Sequence, residues 1–359
     1  MSMSVFSSLK RKVTDVYYRI NRKFFFDESQ VIYNGKTFKS YWDEFYNDDN
    51  RSFLSKIRAK AQAKDAFLEE GFRPDEFCLL GLENNEKAVR DVYISRKKKD
   101  DLLISYYGSD WGDILHVLKD KYVFYSYLKS FFKRDVTYIG NQEDRDSFLL
   151  FCNRHRQFFA KLNKGRCGIG AKVFAIKDDN QANKVFDELI CSGEWVIEEL
   201  IKQSPEIAAF NSSSVNTVRF PSFKKDGVVT CAFPCMRFGR AGSVIDNAAQ
   251  GGLIVSIDEM TGELYPNAYD EKGSVYASHP DSKVPFCGFR VPQWDGLLEL
   301  IKEAHLALPD NQIYVAFDVA LSNRGWCIVE GNWGDLFLQQ LSLKKGLKSE
   351  FVSLLNGNS

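Results

Sequence analysis

The stretch that most constrains this chain is residues 314–336, YVAFDVALSNRGWCIVEGNWGDL. It reads as two strands, 314–321 and 326–330, joined by the turn Ser322-Asn323-Arg324-Gly325. Both strands are strongly apolar, as in a sheet covered on its faces. Carboxylates nevertheless sit among them: Asp318 inside the first strand, Glu330 closing the second, and Asn332 two residues later. Opposed residues on one face of a hairpin come within side-chain reach, so Asp318 and Glu330 can face each other. A buried carboxylate needs a compensating partner, and the hairpin has no Lys or Arg placed to serve both. Two carboxylates and an amide oxygen form a hard-oxygen set suited to Mg²⁺. The plainer alternative is a strand Asp with a structural hydrogen bond and a Glu at a strand end.

The rest of the composition narrows the class. The 359 residues suffice for two or three modest domains or one enzyme built of lobes. Lys plus Arg equals Asp plus Glu at 48 each, so no global field favours nucleic acid. Eight cysteines are scattered without CxxC pairs, and the four histidines have no metal-site spacing. This usage points to reduced thiols in a cytoplasmic protein. No apolar run approaches transmembrane length, and the start lacks a signal-peptide core.

In chain order, residues 4–26 read as a basic amphipathic helix, able to lie on an anionic membrane surface or to pack on its own protein. Asn34-Gly35 marks a tight hairpin. Helices follow at 51–71, 75–84, 86–95 and 110–119, making residues 1–115 a mostly helical region. A first lobe is expected over 116–201 and a second over 202–359. Within the first lie a helix at 120–132, a strand at 136–139, a helix beginning at 144, strands at 158–162 and 172–176, a helix capped by Asp179 and Asn180, and the strand WVIEELI at 195–201. Between the paired strands stand Gly165, Gly168 and Gly170. A phosphate-binding P-loop or dinucleotide fingerprint runs from strand directly into helix. Here a second strand follows, so the loop is a hairpin flap whose N–H groups could cover a triphosphate. Lys161 enters the flap and Lys164 lies in it. A flexible glycine turn with a snorkelling lysine is the competing reading.

Lys161 with the flap, VIEELI, and the set Asp318, Glu330 and Asn332 stand in an order that resembles the ATP-grasp superfamily. Residues ~115–340 are similar to its branch associated with sugar-polymer biosynthesis, through DK (120–121), SSVNTVR (213–219), MRFGRAGSVIDNAAQGG (236–252) and VEGN (329–332). The resemblance implies an α+β fold with ATP held between two lobes. It implies that Lys121 and Lys161 contact the α- and β-phosphates, and that Glu198, Glu199, Leu200 and Ile201 form a hinge against adenine, largely through main-chain groups. Glu206 would meet the ribose hydroxyls and Arg219 the γ-phosphate. Asp318, Glu330 and Asn332 would hold Mg²⁺. The glycine-rich segment 236–252 reads as an acceptor-binding lid, with Arg237, Arg240, Asp246, Asn247, Gly251 and Gly252 as its polar or backbone contacts. A plain surface loop is the alternative, and 279–290 reads as a further surface loop.

Two departures from the family pattern stand out. Many amino-acid ligases of the superfamily carry an Arg two residues before the first metal ligand, where this chain has Ala316. After Asn332 comes Trp333-Gly334-Asp335 rather than a small residue or proline. The activity implied is an ATP-dependent carboxylate–amine ligase that joins an amine or amino acid to a sugar or uronic acid. Phosphotransfer to a sugar hydroxyl and an inactive scaffold are the competing readings.

Overall fold

The computed structural model describes residues 26–33, 35–46, 52–83, 87–165, 170–240, 251–334 and 336–357. The amphipathic helix expected over 4–26 lies, apart from Phe26, outside them. So do Gly168, Asp246 and Asn247. The chain divides into two compact units, one formed by the described residues up to Tyr106 with Lys344–Lys348, the other by Tyr107–Leu343 and the chain from Ser349.

The first unit holds a small hairpin, β1 (Val31–Tyr33) and β2 (Lys36–Thr37), turning at the expected glycine, Gly35. Five helices follow: α1 (Phe38–Tyr46), α2 (Phe53–Glu70), α3 (Pro74–Leu79), α4 (Lys87–Arg90) and α5 (Arg96–Tyr107). Helix α2 ends at Gly71, which takes the left-handed conformation and donates its N–H to Phe67 O. Phe38, Trp42, Phe72 and Phe77 fill the core beneath. Helix α5 carries no apolar period to announce it. Its sequence RKKKDD is held instead by pairs one turn apart, such as Lys97 to Asp101 at 2.7 Å.

The second unit is α+β with two antiparallel sheets. It opens with α6 (Trp111–Lys119) and α7 (Lys121–Phe132). The four-stranded sheet has the order β3 (Val136–Ile139), β6 (Trp195–Glu199), β4 (Gln157–Leu162), β5 (Lys172–Ala175). Helices α8 (Arg145–Arg154) and α9 (Asp179–Ser192) bury Phe148, Phe151, Phe186 and Leu189 in one core with Phe158 and Trp195 of this sheet. Helix α9 is capped by Asp178, whose carboxylate accepts from Gln181 N–H, one residue before the expected cap.

A one-turn helix α10 (Pro205–Ala208) leads to the eight-stranded sheet. Its order is β12 (Val275–Tyr276), β11 (Ala268–Tyr269), β10 (Leu253–Ser256), β9 (Cys235–Phe238), β7 (Thr217–Lys225), β13 (Tyr314–Ser322), β14 (Gly325–Asn332), with β8 (Val228–Cys231) also pairing β7. All nine residues of β13 are buried, as its unbroken apolar run requires. Helix α11 (Trp294–Leu306) covers β7 and β8, and α12 (Phe337–Leu343) and α13 (Lys348–Leu355) finish the chain. Residues 279–290, expected at the surface, bury His279 and Phe286 completely. His279 Nε2 lies 2.9 Å from Gly239 O, and Phe286 stacks on Phe210. Among the described residues no helix is long and apolar enough to cross a membrane.

One core group makes stability sensitive to acid. His305 is fully buried, with Nδ1 2.7 Å from Ser222 Oγ and Nε2 2.7 Å from Gln312 O. Burial disfavours its charged form and lowers its pKa to about 4. Both folded and unfolded chains carry a neutral imidazole above pH ~6.5; below that, only the unfolded chain gains the proton. Stability therefore falls as pH drops from ~6.5 towards ~4, by about 3 kcal/mol from this group. Denaturant titrations at pH 7 and pH 4.5 should show His305→Gln losing less stability over that interval than the wild type.

Candidate functional site: a charged row across two sheets

The site is built on one irregularity. Ser322 pairs with Gly325 and Val319 with Ile328, a register that would set Val329 opposite Asp318. The register slips by one residue between Asp318 and Val319, so that Asp318 faces Glu330, and Ala316 faces Asn332. Since side chains alternate faces, Glu330 and Asn332 would otherwise point away from Asp318. This bulge at Val329 brings the three onto one face. Two of the neighbouring glycines are fixed by contact. A Cβ at Gly331 would stand 2.4 Å from the Phe124 ring, and one at Gly334 would stand 2.8 Å from the Ala316 Cβ.

The partners that the hairpin itself lacks come from the next strands. Arg219 of β7 lies opposite Asp318 and grips it through Nε and Nη2, both at 2.8 Å. Arg237 of β9 adds Nη1 at 2.6 Å from Oδ2. Asn332 Nδ2 donates to Asp318 Oδ2 at 3.0 Å and to Glu330 Oε1 at 3.1 Å. Burial alone would raise the Asp318 pKa, but Arg219 and Arg237 outweigh it and hold the carboxyl below its usual range. The pairing raises the Arg219 pKa in turn. Removing one member of such a buried pair costs about 3–5 kcal/mol, because the other charge is left bare.

The four-stranded sheet supplies further cations. Lys161, near the end of β4, stands 2.6 Å from Glu198 Oε1 and 3.4 Å from Val329 O. The approach to Glu198 is that of a close ion pair. Glu198 Oε2 accepts from Arg134 Nε and Nη2 at 3.1 and 2.7 Å. Burial pushes the Glu198 carboxyl up, and Arg134 and Lys161 pull it below the ordinary value. Lys121 opens α7 beside the end of β4, where Asn163 accepts from Tyr122 N–H at 2.9 Å. Its Nζ donates to Gly165 O at 2.6 Å. Burial lowers the Lys121 pKa, and Glu330 opposes that shift across the site. Arg134 and Asn163 had no signal in the sequence. A Lys-Arg-Asp run after a helix reads as solvated, and nothing there distinguishes Arg134 from its neighbours.

Other expected site residues fall differently. Glu198 lies between β3 and β4, so its main chain is enclosed by strands on both sides and cannot serve adenine. Glu199 N–H is taken by Asp135 O, and its carboxylate by Arg324 at 2.7 Å. Strand β6 stops there, leaving Leu200 and Ile201 beyond its end as the hinge candidates. Glu206 is exposed in the first turn of α10. Lys164 is exposed near Glu194 at 3.4 Å and Asp120 at 3.8 Å, and Gly170 has the positive φ of a flap turn. Arg237 is a buried strand residue, so the stretch expected as a loop from 236 begins as β9. Arg240 stands apart from Asp318, 3.5 Å from Asp281. Gly251 and Gly252 lead into β10.

Two carboxylates and one amide on a common face are a donor set that fits Mg²⁺ in kind. Among the described residues no three His, Cys, Asp or Glu side chains converge as a metal cluster, so Asn332 is needed as the third donor. The surroundings call for an anion as well. Lys121, Lys161, Arg134, Arg219 and Arg237 are five cations against the three carboxylates Glu198, Asp318 and Glu330. Lys164 at the rim, with Asp120 and Glu194 beside it, reduces the excess to one.

The sequence profile of the sugar-transfer associated ATP-grasp family matches residues 110–354. Among proteins of curated function, none matches the chain. Solved structures similar to it include D-alanyl-alanine synthetase A from Vibrio cholerae, 11% identical over 68% of this chain and 66% of that one, with a TM-score of 0.41. VanG D-Ala:D-Ser ligase from Enterococcus faecalis is 12% identical over 67% and 61%, with a TM-score of 0.42. Phosphoribosylamine–glycine ligase from Thermotoga maritima is 11% identical over 69% and 56%, with a TM-score of 0.45. The chain thus spans between 56% and 66% of the length of these three. The match over residues 110–354 takes in both sheets and every described residue of the charged row, and the chain belongs to the sugar-transfer associated ATP-grasp family.

Proposed function

We propose that the protein is an ATP-dependent carboxylate–amine ligase that joins an amine or amino acid to a sugar or uronic-acid substrate in surface-polysaccharide biosynthesis. The observation that carries this reading is the juxtaposition of a hard-oxygen triad with a cation excess. Asp318, Glu330 and Asn332 lie on one side, with Lys161 of the four-stranded sheet on Val329 O and Lys121 at the start of α7 nearby. Magnesium ions held by the triad would supply charge neutralisation at the β- and γ-phosphates. The substrate carboxylate would attack the γ-phosphorus of ATP, giving an acyl phosphate and ADP. The amine would then displace phosphate, forming the amide and releasing a proton. Lys121 and Lys161 would hold the α- and β-phosphates, under the flap that carries Lys164, Gly165, Gly168 and Gly170. Leu200, Ile201 and Glu206 would receive the nucleoside.

Arg219 and Arg237 have two duties in this account. Without ligand, they and Asn332 fill the acceptor positions of Asp318. A polyphosphate offers both guanidiniums a competing anion and frees lone pairs on Asp318 for a cation. Transferring charge would then be stabilised by positioned donors, with little covalent help from the protein. Arg240, Asp246, Asn247, Gly251 and Gly252 would contact the acceptor.

A second reading, phosphoryl transfer to a sugar hydroxyl, is favoured by Ala316, beside Gly334. Ala316 itself offers no cation to receive an acceptor carboxylate. The two readings differ in product. With uronic acids and amines as candidate substrates, mass spectrometry should detect an amide alongside ADP and free phosphate. A phosphorylated acceptor without free phosphate would favour the kinase instead.

Glu330→Gln and Asn332→Ala should each lower turnover by roughly 100-fold or more, the order expected for disturbing a catalytic metal set. Circular dichroism should show the fold retained, since neither residue is in the core. Turnover persisting in both variants would remove the metal assignment.

A further inference from the structure

Arg134 is a buried cation beside the site that neither the triad nor the phosphate lysines account for. Arg134 sits between α7 and β3 with its side chain 2% exposed. Its side chain makes five hydrogen bonds to four acceptor atoms. Two bonds go to Glu198 Oε2, at 3.1 and 2.7 Å. Nη1 reaches Phe132 O at 3.1 Å and Ile328 O at 2.6 Å, and Nη2 reaches Val329 O at 3.5 Å. The guanidinium also lies 4.6 Å from the centre of the Phe132 ring. Ile328 and Val329 are the residues at which β14 slips its register and turns Glu330 towards Asp318.

We infer that Arg134 is a positioning residue that sets Lys161 and Glu330 together. On one side it fixes Glu198, whose second oxygen holds Lys161 in an ion pair at 2.6 Å. Glu198 can then stay in place while Lys161 swings to an incoming anion. On the other side Arg134 saturates the carbonyls of the bulge, which hold Glu330 on the face of Asp318. A buried charge with five directed bonds is costly to assemble, and lysine cannot replace its planar fork. The inference deepens the ligase reading and takes from it the identity of the ligands.

Arg134→Met alone would strand Glu198 with only Lys161, so the decisive form is the double variant Arg134→Met with Glu198→Gln, which removes both charges. If Arg134 merely neutralised Glu198, the double variant would keep the wild-type exchange over residues 327–331, whatever it does to Lys161. If it positions β14, amide hydrogen exchange over residues 327–331 should quicken by about tenfold or more without any ligand, while β6 and β13 keep their protection. The magnesium concentration for half-maximal turnover should rise by roughly 10–100-fold, with a smaller change in KM for ATP. Exchange over 327–331 equal to that of the wild type overturns the inference. Should the wild type fail to turn over ATP, the ligase reading falls while the exchange comparison still decides the role of Arg134.

Discussion

A carboxylate inside a covered β-sheet is the constraint on which this molecule turns. Asp318 lies in a strand with every residue buried, so its charge must be met by neighbours rather than by water. The sheet meets it through strand order. Beside β13 stands β7 with Arg219, and beside β7 stands β9 with Arg237. The same arrangement that makes the buried acid tolerable lines a sheet face with alternating charge. A face of that kind can exchange one set of ion pairs for another when a charged ligand arrives.

The bulge at Val329 adds the second half of the chemistry. With an unbroken register the hairpin would have one acid on the charged face and hide the other two donors beneath it. One extra residue rotates Glu330 and Asn332 into line with Asp318. Beside the bulge, Arg134 donates to the carbonyls of Ile328 and Val329, and Lys161 donates to that of Val329. The two sheets are thereby joined beside Glu330 by hydrogen bonds from cations to backbone carbonyls. Each sheet's ion pairs then carry both structure and site.

Much of the site was legible before the fold. Lys121, Lys161, Arg219, Asp318, Glu330 and Asn332 stand in one described cluster, and the family match covers all of them. Legibility failed where a residue's role depends on which strand lies beside it. Glu198 reads like a hinge residue but spends its main chain on two neighbours and its carboxylate on Arg134 and Lys161. Arg237 reads like a loop residue because glycines follow it, yet it is a strand residue facing Asp318. His279 lies in a polar stretch and is nevertheless fully buried, because Gly239 O offers it a partner far away in the chain.

The α+β class and the pairing of hairpin with flap followed from the family resemblance; the chain's own local pattern announced the acid-bearing hairpin, the lysine-bearing glycine flap and most elements of residues 120–201. Those are local matters of apolar period, turn residues and capping, which the chain carries with it. The tertiary structure decided which charges neutralise one another, where the hairpin slips its register, and that Arg134 belongs at the join of the two sheets. These depend on residues far apart in the chain, such as Arg134 and Val329, 195 positions apart. A Lys-Arg-Asp run has the same appearance in a sequence whether water or a buried carboxylate receives it. Only the order of strands in space determines which.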